Sequence, residues 1–339
     1  MDGAVPANPN HDQVNVEGKE RPIWEGLPVS LFGSVMGMTG LSIAWGMMSA
    51  QLGTPSWIAD LLACCAALVF VILVFGYTMK ILRSPGAVRA EFLHPIQGNL
   101  FGTFIISVLL LPIVIAPVSL WFARAGWTLG AVLMLGFAWV IVTRWMSERQ
   151  LAAHATPAWI VPVVGALEIP LALPHLSLPE LHAVMVVGLS IGLFFTIPLF
   201  TLIFSRLIFE DPLPTALEPT LLILIGPFAL GFTSYVATTG MVDLFAEGLY
   251  VLMLFLLGVL LPRLAHLPQC CPFRFSWWSV SFPLAASANA ALIFAKARPS
   301  GLTQAVAVAL LALASVVVAY LLWLTLAGVA RGDLRTLSR

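Results

Sequence analysis

Ten apolar stretches, each about long enough to cross a membrane, recur along this chain and leave little sequence for anything else. They lie near residues 28–50, 56–79, 95–117, 121–143, 157–176, 181–204, 216–240, 243–263, 276–295 and 302–328. A helix rising 1.5 Å per residue needs about 20 residues to cross roughly 30 Å of hydrocarbon. In lipid every backbone N–H and C=O must be satisfied within the protein, so only helices or closed barrels span it. No strand-like alternation is present, which leaves helices. Composition agrees: 60% of the 339 residues are hydrophobic and 9% charged, with a mean hydropathy of +0.99, against about 25% charged in a soluble domain. These values exclude a soluble globular protein, a disordered chain and a coiled coil. Sixteen basic residues balance sixteen acidic ones without forming a basic block, which argues against nucleic-acid binding. The reading is an all-α polytopic membrane protein with ten transmembrane helices.

Residues 1–27 are polar and read as a flexible cytoplasmic tail, 28–328 as the transport domain, and 329–339 as a short cytoplasmic C-terminal tail. No basic segment precedes a short apolar run, so no cleavable signal peptide is expected. With the N-terminus inside, the inner loops hold Lys19, Arg21, Lys80, Arg83, Arg89, Arg144, Arg149, Arg206, Arg263, Arg274, Arg331, Arg335 and Arg339. The outer loops hold only Arg124, Lys296 and Arg298. Basic residues favour the cytoplasmic side, so this asymmetry supports an even span count and places both termini in the cytoplasm. Trp24, Trp57, Trp121, Trp145, Trp159, Trp277, Trp278 and Trp323 fall near span ends and read as headgroup-level anchors.

Odd and even spans differ. Pro112 lies in the third, Pro162 and Pro170 in the fifth, Pro227 in the seventh and Pro283 in the ninth. The first has Gly33, Gly37 and Gly40 along one side. Among the even spans only the sixth reads as carrying an internal proline, Pro198. Proline frees a carbonyl and bends a helix, which membrane depth tolerates where protein or a water-filled cavity receives the freed group. The expectation is five inner helices, kinked at Pro112, Pro170, Pro227, Pro283 and Gly37, around a central pore, with five smoother helices outside.

Little in the chain suggests chemistry. Gly188-Leu-Ser-Ile-Gly192 matches G-x-S-x-G by letter, but that motif needs a strand-to-helix elbow. Here it sits in an apolar helix, where small residues serve close packing. No metal-spaced His, Cys or carboxylate set appears, no cofactor is implied, and an enzyme is not expected. The adjacent pairs Cys64-Cys65 and Cys270-Cys271 give no disulfide framework. Glu168 is the exception to apolar spans. An intramembrane carboxylate is by default a functional candidate, here a proton or ion site. Asp60, Glu218, Asp243 and Glu247 lie nearer span ends. Among 21 phenylalanines, Phe282 stands out beside Pro283, and Phe101 closes the run His94-Pro-Ile-Gln-Gly-Asn-Leu-Phe101.

The chain resembles the tellurite-resistance/dicarboxylate-transporter family, which takes in bacterial tellurite-resistance proteins and the slow anion channels of plant guard cells. The resemblance rests on Pro28-Val-Ser-Leu-Phe-Gly33 through Trp45, His94-Pro95 through Phe101, Pro162-Val-Val-Gly165, Glu218-Pro-Thr-Leu-Leu-Ile-Leu-Ile-Gly-Pro227, and Trp277-Trp278 with Ser281-Phe282-Pro283, all in order. It implies a homotrimer in which each protomer has its own pore. It also implies a gating phenylalanine at Phe282 and a second pore phenylalanine at Phe101. Gln97 departs from the Arg often found after His-Pro in plant-like members, removing a positive charge near the inner mouth. Glu168 is not a residue expected on an anion path. The function so implied is a passive anion channel or uniporter of the inner membrane, carrying small inorganic or organic anions. The alternative is a coupled transporter of C4-dicarboxylates or tellurite- or sulfite-like oxyanions.

Overall fold

The computed structural model describes residues 26–333 and Leu337; Lys19, Arg21, Trp24, Arg335, Arg339 and most of both tails lie outside the described residues. Among the described residues there is no strand. Ten helices are long and apolar enough to cross a membrane: α1 (Val29–Leu52), α2 (Trp57–Arg83), α3 (Gln97–Ile115), α4 (Leu120–Ser147), α5 (Pro157–Leu176), α6 (His182–Phe209), α7 (Glu218–Thr239), α8 (Leu244–Cys270), α9 (Phe275–Ala297) and α10 (Gly301–Ala330). A shorter helix, Pro85–Leu93, joins α2 to α3. Its nine residues are too few to register as a span.

Burial separates odd from even spans. In their most apolar stretches, 67% to 83% of residues are buried in the odd spans and 11% to 39% in the even ones. The contacts explain this. α1 packs on α3, α3 on α5, α5 on α7, α7 on α9, and α9 back on α1. Each even span covers the seam between its odd partner and the next odd span, with α10 closing over α9 and α1. Lipid tails are as apolar as leucine, so close approach rather than hydrophobic burial drives helix association here. That suits the α1–α9 contact, where small residues meet. A Cβ on Gly33 would stand 3.8 Å from the Trp278 carbonyl oxygen, one on Gly40 3.1 Å from the Ala285 Cβ, and one on Gly37 would collide with the Ser281 hydroxyl. The G-x-S-x-G letters also mark close packing. A Cβ on Gly188 would sit 2.6 Å from the Ala166 carbonyl, Gly192 abuts Leu167, and Ser190 faces outward, exposed.

All five odd spans begin in the tighter 3-10 form, over Val29–Phe32, Gln97–Leu100, Pro157–Ile160, Glu218–Ile225 and Phe275–Val280, and α5 returns to it at Gly165–Glu168. Irregular helix at membrane depth is tolerated where protein surrounds it. This changes the meaning of the prolines. Pro162, Pro170 and Pro227 sit in the first turn of an α-helical stretch that follows a 3-10 turn, where no N–H is needed. Pro283 is the third residue of the α-helical Ser281–Ala297. Pro112 lies inside a continuous α-helix, and so does Gly37, in Gly33–Leu52. The even spans are not as proline-poor as expected, because α8 runs on to Cys270 and carries Pro262 and Pro268 inside it.

The ends are tied down. Left-handed glycines, Gly53 at φ 69° and Gly240 at φ 71°, terminate α1 and α7. The Asp243 carboxylate caps α8 through the Ala246 N–H, and Ser300 with Thr303 forms a capping box on α10. At the opposite face, buried Glu91 on the connecting helix accepts from Lys80 Nζ at 2.6 Å, Tyr77 Oη at 3.0 Å and the Val29 N–H at 2.8 Å. Lys80 also donates to the Leu27 carbonyl at 2.7 Å. A fully hydrogen-bonded buried pair of this kind fixes geometry more than it adds stability. Trp159, Trp277 and Trp278 are buried in the protein rather than set at headgroup level, because the 3-10 starts of odd spans face inward. Trp57, Trp121 and Trp323 are exposed. Cys270 and Cys271 are joined to each other, a link between neighbours that closes no loop.

Candidate functional site

The odd spans enclose two cavities. The larger, about 940 Å³, is walled by the second halves of all five odd spans, with Gln304, Ala307 and Val308 of α10. The smaller, about 100 Å³, is walled by their first halves and by Leu217. Two residues belong to both walls, Phe282 and Leu230. Phe282 is 8% exposed and Leu230 5%. Each lies near the point where its helix changes from 3-10 to α, two residues into Ser281–Ala297 and a turn into Gly226–Thr239. The 3-10 start therefore sets the level at which these side chains enter. Sequence reasoning identified Phe282 and missed Leu230, which follows Pro227 by three residues in an apolar run with no distinguishing signal.

The linings differ in chemistry. The smaller cavity has no charged side chain. Its polar groups are hydroxyls, and those of Ser276 and Ser279 have no hydrogen-bond partner among the described residues. The Thr103 and Thr220 hydroxyls are turned back onto backbone carbonyls. The larger cavity carries exposed Lys296 and Arg298. The loop that breaks the charge asymmetry thus places its two cations at this cavity. Arg298 is held at 2.9 Å from Glu247. Asn289 donates to the Gly40 carbonyl at 3.1 Å, leaving its own carbonyl oxygen without a partner.

Glu168 also borders the larger cavity. It is 0% exposed, and neither carboxyl oxygen has a partner among the described residues. Phe101 lies elsewhere. It is half-buried, with its ring edge-on to Tyr77 at 6.1 Å and Phe92 at 5.2 Å, and it lines neither cavity, whereas its neighbours Leu100 and Thr103 line the smaller one. Phe101 directly follows the 3-10 turn Gln97–Leu100, and its ring contacts lie toward α2 and the connecting helix. Among the sequence-derived kink sites, only Pro227 and Pro283 border a cavity, the smaller one. Pro112, Pro170 and Gly37 border neither.

His94-Pro95 organises the start of α3. The His94 ring accepts at Nδ1 from the Ile96 and Gln97 N–H groups, at 3.2 and 3.1 Å. Burial, with His154 nearby, holds this imidazole below its usual value. Trp159, stacked on Trp145 at 5.2 Å, donates to the Pro95 carbonyl and ties α5 to the same turn.

The SLAC1 family model, described as voltage-dependent anion channel, matches residues 26–326. The chain is 27% identical over 328 residues to the S-type anion channel SLAH3 of Arabidopsis thaliana, covering 94% of this chain and 51% of that protein, so it spans about half the length of the plant relative. It is 28% identical over 281 residues to an uncharacterized transporter of Methanocaldococcus jannaschii, covering 75% of this chain and 81% of that one. It is 25% identical over 283 residues to the tellurite resistance protein TehA homolog of Haemophilus influenzae, covering 79% and 81%. The family match covers nearly all of the ten-helix region, and the chain belongs to the SLAC1 voltage-dependent anion channel family of multi-pass membrane proteins.

Proposed function

We propose that the protein is a passive anion channel of the inner membrane whose path runs through the two cavities and is plugged by Phe282. The observation that carries this is the shared wall. Phe282 and Leu230 alone border both cavities, so a small anion moving from one to the other passes between them. The basic-residue asymmetry supports cytoplasmic termini, which turns the larger cavity, with Lys296 and Arg298, outward. Those cations raise local anion concentration, and the unpartnered Ser276 and Ser279 hydroxyls offer donors beyond the plug. The path is otherwise weakly polar, as conduction requires when a site must also release its ion. The exposed apolar even spans face lipid or neighbouring protomers, and a homotrimer with one pore per protomer is part of this reading.

A second reading, a coupled carrier of C4-dicarboxylates or tellurite- or sulfite-like oxyanions, is favoured by one observation, the unpartnered carboxyl of Glu168. Chloride efflux from liposomes holding wild type, Phe282→Ala or Leu230→Ala tests the plug. Faster efflux through both variants is expected, the larger rise with Phe282→Ala. Efflux at the wild-type rate from folded Phe282→Ala protein removes the plug assignment.

A further inference from the structure

Among the described residues, Glu168 is the one fully buried acid without a partner. Glu91, the other buried acid, is held by Lys80, Tyr77 and a backbone N–H. The 3-10 turn Gly165–Glu168 packs against α3, α4, α6 and α7, and none of these brings a counter-charge. α3 contains no ionisable side chain. On α4, Arg124 is committed to the Leu176 and Ser177 carbonyls, and Arg144 to that of Phe92. On α6, His182 contacts the Thr238 carbonyl, and Arg206 is in the last turn. On α7, Glu218 pairs with Arg263, and Tyr235 donates to Asp243. His175, on the same helix, and Lys296 and Arg298 line the cavity, and none of them pairs with Glu168.

Burial without a protein partner disfavours an ionised carboxylate relative to the neutral acid. Glu168 also shares the wall of the larger cavity with Phe282. An anion in that cavity and a negative charge on Glu168 repel each other through a poorly screening medium. Proton and anion binding are then coupled, and the coupling is reciprocal.

We infer that Glu168 is a proton site that fills together with an anion in the larger cavity. The proton comes from water on the side that cavity faces and converts the carboxylate to the acid. It returns to the same water when the anion leaves. Acid on that side promotes anion entry, and a bound anion tightens the hold on the proton. This deepens the reading of the cavities as an anion path and rests on it.

Two measurements separate the inference from that reading. The first is infrared titration of the carboxylic-acid C=O band in reconstituted protein, with chloride, which is infrared-silent, or without it. A band absent from Glu168→Gln, and whose midpoint moves to higher pH with chloride, is the expected result. A band that chloride does not move, or no such band, overturns the inference. The second is chloride current in Phe282→Ala with pH varied on the larger-cavity side. About tenfold more current in acid, within the usual range of coupling, is expected, lost in Phe282→Ala/Glu168→Gln and kept in Phe282→Ala/His175→Gln. Equal pH dependence with and without Glu168 overturns the inference while leaving the channel intact. Absence of current beside a chloride-sensitive Glu168 band supports the site and removes the passive channel.

Discussion

The ring of Phe282 rests on the bare backbone of Gly40: a methyl group at Gly40 would stand 3.5 Å from its Cδ2 and 3.6 Å from its Cε2. Contact with α1 is therefore part of what holds the ring between the cavities, and it is contact alone, with no hydrogen bond. Side-chain bulk at Gly40 falls on the ring. Gly40→Val is expected to displace it and raise chloride current above wild type, though less than Phe282→Ala does. A stable Gly40→Val protein as silent as wild type would count against the contact as a support of the plug.

One turn earlier, Gly37 faces Ser281 too closely for any side chain. The Ser281 hydroxyl is already turned onto the Trp278 carbonyl at 2.7 Å. Gly37→Ala has to separate α1 from α9, and overpacking of this kind costs about 1–3 kcal/mol. Thermal unfolding in detergent should show a lower midpoint for Gly37→Ala, and for Gly46→Ala, whose Cβ meets nothing within 4 Å, little change.

Phe101 is expected to support the fold rather than the path. Fully buried phenylalanines cost roughly 3–5 kcal/mol on truncation to alanine, so a half-buried one flanked by Tyr77 and Phe92 is expected to cost about 2 kcal/mol. Phe101→Ala should lower the unfolding midpoint while leaving the current of Phe282→Ala unchanged when the two are combined. A clear rise in current from Phe101→Ala alone would return this residue to the path.

His94 gives the start of α3 a defined acid sensitivity. Its neutral ring accepts two backbone N–H groups, and its folded-state value lies below the usual 6.5 because of burial and then His154. The unfolded chain takes up the proton first as pH falls. The contribution is therefore complete above about 6.5 and is lost as pH drops below it through the lower folded value. In His94→Asn, whose side-chain oxygen accepts the same N–H groups, the unfolding midpoint should fall less steeply on acidification. Equal slopes would show that another group sets the acid limb.

Much of the fold was legible because apolar length is a strong signal. The ten spans begin and end within a few residues of the sequence reading, except that α2, α4, α6 and α8 run on at their C-terminal ends, which carry Lys80 with Arg83, Arg144, Arg206, and Pro262 with Pro268. Polar or proline-bearing final turns lower the hydropathy that marks a span, although the helix continues. The position of Phe282 beside Pro283 singles it out in the sequence, whereas Leu230 carries no such mark, because a leucine in an apolar helix looks the same whether it lines a cavity or faces a neighbour. Phe101 was named from its run after His94-Pro95 and from the family resemblance, neither of which shows that it borders neither cavity. The odd spans are the more buried set, but the prolines do not account for it. Prolines occur in both sets, whereas all five odd spans start in 3-10 form, which no residue type announces, and among the even ones only the sixth follows directly on a 3-10 turn, Pro179–Leu181.

The most direct test of the account is the current carried by purified Phe282→Ala protein in a planar bilayer, beside wild type, in asymmetric chloride and then nitrate. The account predicts near-silence from wild type and large ohmic currents from the variant that reverse near the anion equilibrium potential. A variant that folds and reconstitutes like wild type yet carries no anion current would contradict it, and proton-driven uptake of malate or another oxyanion by the same protein would establish a coupled carrier in its place.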